Sequence, residues 1–263
     1  MEIKVLGPLT AHENGVSVVP TAAKPRQILS LLALQSDRVV TVATLMEEIW
    51  GEDIPRSAAT TLQTYILQLR RKISAALDGS RRQAKDVLVT QHGGYLLQVQ
   101  PGQVDAHEFS RLAASGRAAY DAGDHHAASG LLGRALEMWQ GSALVDVRVG
   151  TVLELEVLRM EEDRMAALER RIDADLILGR HTGIVPELRV LVAKHPMHEN
   201  FCAQLMTALH RSGGASRALE AYQRLRMTLV DELGLEPSAR LQRLHQAVLS
   251  ADPALDLPVA ATG

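Results

Sequence analysis

Thr60, Thr64, Gln68 and Arg71 recur every three to four residues through the stretch 57–77, SAATTLQTYILQLRRKISAAL. At about 100° per residue they fall on one side of a helix, with Ser57 and Leu67 beside them. Hydroxyls, an amide and a guanidinium on one face are the side chains that hydrogen-bond base edges and grip phosphates. Thr61, Gln63, Arg70 and Lys72 lie on the flanks, and no carboxylate occurs before Asp78. The opposite stripe, Ala58/Ala59, Leu62, Ile66, Leu69, Ile73 and Leu77, is apolar and is the side to be buried. Ser57, just after Pro55 and Arg56, suits an N-cap. A plain buried helix with a polar outer face would show much of the same pattern, so the flanking sequence decides.

Other chemistry finds little support. The chain has no Gly-x-x-x-x-Gly-Lys phosphate loop, no His-Glu-x-x-His and no Gly-x-Ser-x-Gly. His195 and His198 stand three apart, but Pro196 interrupts any helix that would align them, so a helix-connecting turn is expected there rather than a metal site. His125 and His126 are expected in a solvated turn. Glu161, Glu162 and Asp163 form an acidic run, read as a solvated helix face or as a partner contact. Cys202, the one cysteine, lies in an apolar helical pattern and is expected to be a buried thiol, in keeping with a reducing cytoplasm. No cofactor site and no catalytic constellation is expected, and the chain is not read as an enzyme.

The elements around 57–77 follow from local signals. Apolar runs at 3–9 and 16–19 flank Glu13-Asn14-Gly15, a hairpin turn. Residues 24–35 read as a helix with Pro25 in its first turn. Val39-Val40 suits a brief strand, and Thr41 caps a second helix, 42–50, with Leu45, Met46 and Ile49 inward and Glu47 and Glu48 outward; Gly51 stops it. After the loop 51–56 and the 57–77 helix, a basic connection carries Arg81, Arg82 and Lys85. Two short β-type runs, 87–91 and 95–99, meet at His92-Gly93-Gly94. The order hairpin, helix, helix, helix, hairpin is a winged helix-turn-helix with an extra N-terminal sheet. Its first two helices bury the stripe of the third and leave the polar face for a DNA major groove about 12 Å wide.

Pro101-Gly102 marks a boundary, and the remainder reads as helix after helix. Asp105 is expected to cap a helix to about Ala122. Gly123, Ala128, Leu132 and Ala135 share spacing with Gly179, Ile184, Leu188 and Leu191, and with Gly213, Ala218, Tyr222 and Leu225. The last two sets lie 34 residues apart, the period of a tetratricopeptide-type helical hairpin. A long helix, 152–178, and a final helix, 238–250, complete the pattern. The fold class is therefore mostly α with a small β part. Residues 1–100 are expected to form the winged helix, 101–251 a helical-repeat domain, and 252–263 a flexible tail.

Charge is divided along the chain. Residues 1–100 hold 11 Lys/Arg against 9 Asp/Glu, and residues 101–263 hold 17 against 22. The sharpest excess, seven basic to two acidic residues, spans 56–86. A basic surface carried by an acidic partner domain explains how a chain of net charge −3 can bind nucleic acid. No signal peptide and no apolar run of membrane-spanning length is present.

With both halves read, the chain resembles the Streptomyces antibiotic regulatory proteins, bacterial transcription activators with an OmpR-type winged helix-turn-helix followed by a bacterial transcriptional activation domain. The matching stretches are VLGPLTAHENGVSV, KPRQILSLLALQ, VVTVATLMEEIWGEDIPRSA, LQTYILQLRRKI and VLVTQHGGYLLQV, with FSRLAASGRAAYDAGDHHAASGLLGRALEMWQG and ALEAYQRLRMTLVDELGLEPSARLQRLHQAVL downstream. The resemblance implies a partner set: double-stranded DNA in tandem direct repeats near the −35 region of secondary-metabolite promoters, a homodimer on that DNA, and RNA polymerase with its sigma factor. It implies a cytoplasmic, nucleoid-associated protein. Arg70, Arg71 and Lys72 match the basic end of the family's recognition helix. The full expected DNA-binding set is Lys24, Arg26, Arg56, Thr60, Thr61, Thr64, Gln68, Arg70, Arg71, Lys72, Arg81, Arg82, His92, Gly93 and Tyr95. Glu52 and Asp53, in the loop before the recognition helix, are the expected polymerase contact, against an ordinary exposed loop. A helical-repeat scaffold whose winged helix binds protein instead of DNA is the alternative function.

Overall fold

The computed structural model describes residues 1–78 and 81–256. It forms two compact units: Met1–Ala114 with Arg134–Ala166, and Ser115–Gly133 with the residues from Ala167 on.

The first unit opens with a three-stranded antiparallel sheet, β1 (Glu2–Lys4), β2 (Thr10–Glu13) and β3 (Val16–Ser17), in that order. The turn at Asn14-Gly15 joins β2 to β3, with φ values of 50° and 78°. The single run expected over 3–9 is instead β1 followed by a bend. The reason lies 100 residues away. The Asp105 carboxylate accepts the backbone N–H groups of Val5 (2.8 Å) and Leu6 (3.1 Å), donors that a longer strand would have placed in the ladder. Asp105 also accepts from Ala106 N–H at 2.8 Å, but it is the first residue of its helix rather than the cap expected: the N–H groups of His107 and Glu108 go to the Val104 carbonyl.

Next come α1 (Ala23–Leu34), β4 (Val40–Thr41), α2 (Val42–Trp50) and α3 (Ala58–Ala76). The Thr41 hydroxyl accepts from Thr44 N–H at 3.1 Å, as an N-cap should. Ser57 precedes α3 without a side-chain cap bond, contrary to expectation. A four-residue α4 (Ala84–Val87) then leads into β5 (Leu88–Gln91) and β6 (Gly94–Leu97), so Val87 ends a helix rather than starting a strand. The second sheet has the order β4-β6-β5. Gly94 lets β6 lie against β4: a Cβ there would sit 2.2 Å from the Val40 carbonyl oxygen. Ile28, Leu31 and Leu32 of α1, Leu45 of α2 and the α3 stripe Leu62, Ile66, Leu69 and Ile73 are all buried in one core.

Glu48 corrects the outward placement expected for it. It is 2% exposed, and its carboxylate accepts from Gly150 N–H (2.6 Å) and Leu153 N–H (2.9 Å), capping the long α7 (Thr151–Ile177). An anion at a helix N-terminus satisfies orphan donors and meets the positive end of the dipole.

Between these lie α5 (Asp105–Asp121) and α6 (His125–Glu137). His125 and His126 belong to the first turn of α6, with the Asp124 carboxylate accepting from Ala127 N–H at 2.9 Å. The second unit continues with α8 (His181–Lys194), α9 (Glu199–Arg211), α10 (Ala215–Leu233) and α11 (Ala239–Leu249). Gly123, Gly179 and Gly213 stand at equivalent turns with φ of 81°, 75° and 74°, the left-handed region that favours glycine. The repeat read from spacing is thus a recurring helical hairpin. The His195–His198 bend joins α8 to α9; the His198 ring accepts from Phe201 N–H through Nδ1 and faces Glu169 through Nε2 at 3.0 Å. Cys202 is fully buried, and burial pushes its thiol up to about 12. Residues 252–256, expected to be part of a loose tail, make a short 3-10 turn (Pro253–Leu255), and Arg211 Nε donates to the Leu255 carbonyl at 2.8 Å. Residues 257–263 of that tail lie outside the described residues.

Candidate nucleic-acid interface

α3 is 19 residues long, about 28 Å. Its buried stripe fixes its rotation. Ser57, Thr60, Thr64, Leu67, Gln68 and Arg71 are all exposed, so the face read from the sequence is the face presented to solvent. Leu67, 48% exposed, sits in the middle of it. A leucine there offers an apolar contact suited to a thymine methyl. The Thr64 hydroxyl donates to the Thr60 carbonyl at 3.0 Å, which leaves its lone pairs outward.

The flanking residues divide. Arg70 is half-buried and turned to the wing. Its Nε and Nη2 donate to the Leu88 carbonyl at 3.0 and 2.7 Å, and Nη2 also reaches Thr90 Oγ1 at 2.8 Å. It therefore ties α3 to β5. Thr61 and Lys72 are half-buried on the helix sides. Arg56 is exposed just before the helix. Beyond it, Arg81 is exposed, and Arg82 donates to the Gln98 carbonyl at 3.2 Å. Lys85, exposed on α4, shares a shallow groove with Arg71, Ser74 and Arg82. It was not among the expected contacts, although its place in the basic stretch after α3 was the available signal.

At the wing tip His92 and Gly93 are exposed, while Tyr95 packs inward at 9% exposure. His92 and Gly93 form the turn itself, whereas Tyr95 lies inside β6, paired with Val40 of β4 on one side and Thr90 of β5 on the other. On α1, Lys24 lies 5.0 Å above the Trp50 ring, a cation–π contact that holds α1 to α2. Arg26 forms an ion pair with Asp146, whose carboxylate also accepts from Leu9 N–H. The structure thus gathers Arg56, Thr60, Thr64, Gln68, Arg71, Arg81 and the wing turn as exposed groups. Lys24, Arg26, Arg70 and Tyr95 have partners within the fold. In the loop before α3, Glu52 and Asp53 are exposed, and Ile54 beside them is 50% exposed.

This architecture has close counterparts. Residues 104–249 match the family model described as "Bacterial transcriptional activator domain", and residues 17–97 match "Transcriptional regulatory protein, C terminal". The chain is 57% identical to "Regulatory protein DnrI" of Streptomyces peucetius, over 97% of this chain and 94% of that protein. The chain belongs to the Streptomyces antibiotic regulatory protein family. It is also 36% identical to "Transcriptional regulator RedD" of Streptomyces coelicolor, over 99% of this chain and 73% of the relative. Among solved structures it is similar to Mycobacterium tuberculosis EmbR, which was determined with a low-affinity phosphopeptide. There the TM-score is 0.87 at 30% identity, over 99% of this chain and 66% of that one. The family's members are transcription regulators, not enzymes, and the winged helix and the helical-repeat activator domain of this chain are theirs. Among the described residues, no helix is long and apolar enough to cross a membrane.

Proposed function

We propose that the chain activates transcription by binding tandem direct repeats near the −35 region of secondary-metabolite promoters and recruiting RNA polymerase. The observation that carries this reading is the exposed face of α3. Thr60, Thr64, Gln68 and Arg71 span about 16 Å of helix with no carboxylate among them, beside a wing with an exposed turn. In this reading Arg56, Arg81 and Lys85 grip phosphates, His92 and Gly93 touch the neighbouring backbone, and Arg70 sets the distance between helix and wing. Residues 1–100 are the DNA-binding part, 101–251 the activator part, and the protein works at the nucleoid in the cytoplasm. Glu52 and Asp53, with Ile54 exposed beside them, offer an acidic and apolar contact to sigma factor.

One winged helix makes a small interface, so affinity gains from a second copy on an adjacent repeat. Direct repeats call for a head-to-tail pair rather than a two-fold one. Mobility shifts on duplexes carrying one or two repeats test this. Two repeats should bind cooperatively and at least tenfold more tightly; equal, independent binding to both would contradict the tandem arrangement.

A further inference from the structure

We infer that the groove between α8, α9 and α10 is a docking site for an acidic, leucine-bearing helix of a partner protein. The groove encloses about 490 Å³. Its floor is apolar: Leu205 and Leu209, one turn apart on α9, and Leu225 of α10 close its base at 5%, 3% and 2% exposure, and the half-buried Val192 of α8 stands beside them. Its rims are cationic, with Arg189 on α8 and Arg217 and Arg224 on α10, against a single carboxylate, Glu220. All three arginines are exposed, and none has an ion-pair partner among the described residues.

Other arginines of the unit are paired. In the same unit Arg170, Arg171, Arg180 and Arg226 each pair with a carboxylate. The unit as a whole holds 12 Lys/Arg and 13 Asp/Glu, and what marks the groove is that three guanidiniums without a carboxylate partner surround one apolar floor with Glu220 alone among them.

The shape selects a helix. The α10 wall from Arg217 to Thr228 runs about 16 Å, which is three turns. An amphipathic helix laid along it would seat its apolar side chains on Leu205 and Leu209 and bring glutamates or aspartates to the arginine rims. DNA fits the cations but not the floor, since phosphate and sugar gain nothing from buried leucines. This site is separate from the α3 face, and the proposal does not depend on DNA binding.

The test uses the full chain and a fluorescein-labelled peptide of about 14 residues, leucine on one face and glutamate on the flanks. Fluorescence anisotropy should show binding that weakens with salt. The variant Arg189→Ala/Arg224→Ala should lose at least tenfold in peptide affinity while keeping its circular dichroism and its DNA mobility shift. Peptides with glutamine for glutamate, or serine for leucine, should bind at least tenfold more weakly. The inference is overturned if the variant binds the acidic peptide like the parent, or if the glutamine peptide binds equally well. It is also overturned if the double substitution changes only non-specific DNA affinity, or only the sedimenting mass of the chain, because the groove would then serve DNA or a second copy.

Discussion

Arg70 and Arg71 are adjacent and chemically identical, yet the fold gives them different work. Arg71 projects from the exposed face of α3, whereas Arg70 forks onto the Leu88 carbonyl and Thr90. A guanidinium holding a carbonyl that would otherwise lack a partner is worth about 1–3 kcal/mol. Arg70→Ala should therefore lower unfolding free energy by about that amount in urea titration, with any loss of DNA affinity following from a loosened wing. Unchanged stability would show that Arg70 does not hold the wing. Asp105 gives a pH signature. Burial raises its carboxyl above the ordinary value, although the Val5, Leu6 and Ala106 N–H groups pull the other way. The folded chain thus holds that proton more tightly than the unfolded chain does. Stability from this group is full below about pH 4 and is lost as pH climbs through the raised value. Across that window the parent should lose stability relative to Asp105→Asn; parallel profiles would contradict the assignment.

At the scale of elements, the polar pairs that join distant segments are what hold the first unit in register. Glu48 on α2 caps α7 across about a hundred residues of chain. Glu48→Ala leaves one part-buried and one buried N–H donor, those of Gly150 and Leu153, without an acceptor, so it should cost about 2–4 kcal/mol, read as a shifted urea midpoint. A midpoint within about 0.5 kcal/mol of the parent would mean that water replaces the cap. The same elements show what the sequence can tell. The α3 stripe, the Thr41 cap, the Asn14-Gly15 turn and the three equivalent glycines are local signals of period or backbone freedom, and each was legible. Glu48 read as solvated because Glu47 beside it is, and nothing nearby marks α7 as its partner. Arg26 looked like a DNA contact because Asp146 lies 120 residues on. Tyr95 looked like a wing contact because strand phase could not be read from so short a run. The exposed face of the site was legible; which cations remain available was not, since long-range pairing decides it.

At the scale of the whole molecule, charge and fold agree with a division of labour. The basic stretch 56–86 runs from just before α3 through α3 to α4, ahead of the wing strands, while the acidic remainder is built into helical hairpins. Phosphate neutralisation releases counterions, so binding by the basic face must fall linearly with salt on logarithmic axes. The most direct test of the central claim compares the parent with Gln68→Ala/Arg71→Ala on a duplex carrying two direct repeats, by anisotropy across a salt series. Both proteins should have the same circular dichroism and melting temperature, since both residues are exposed. The account predicts that the double variant loses at least tenfold in affinity, and that its salt slope falls by about one as one phosphate contact disappears. Equal affinity and an equal slope would contradict the assignment of α3 as the helix that reads DNA.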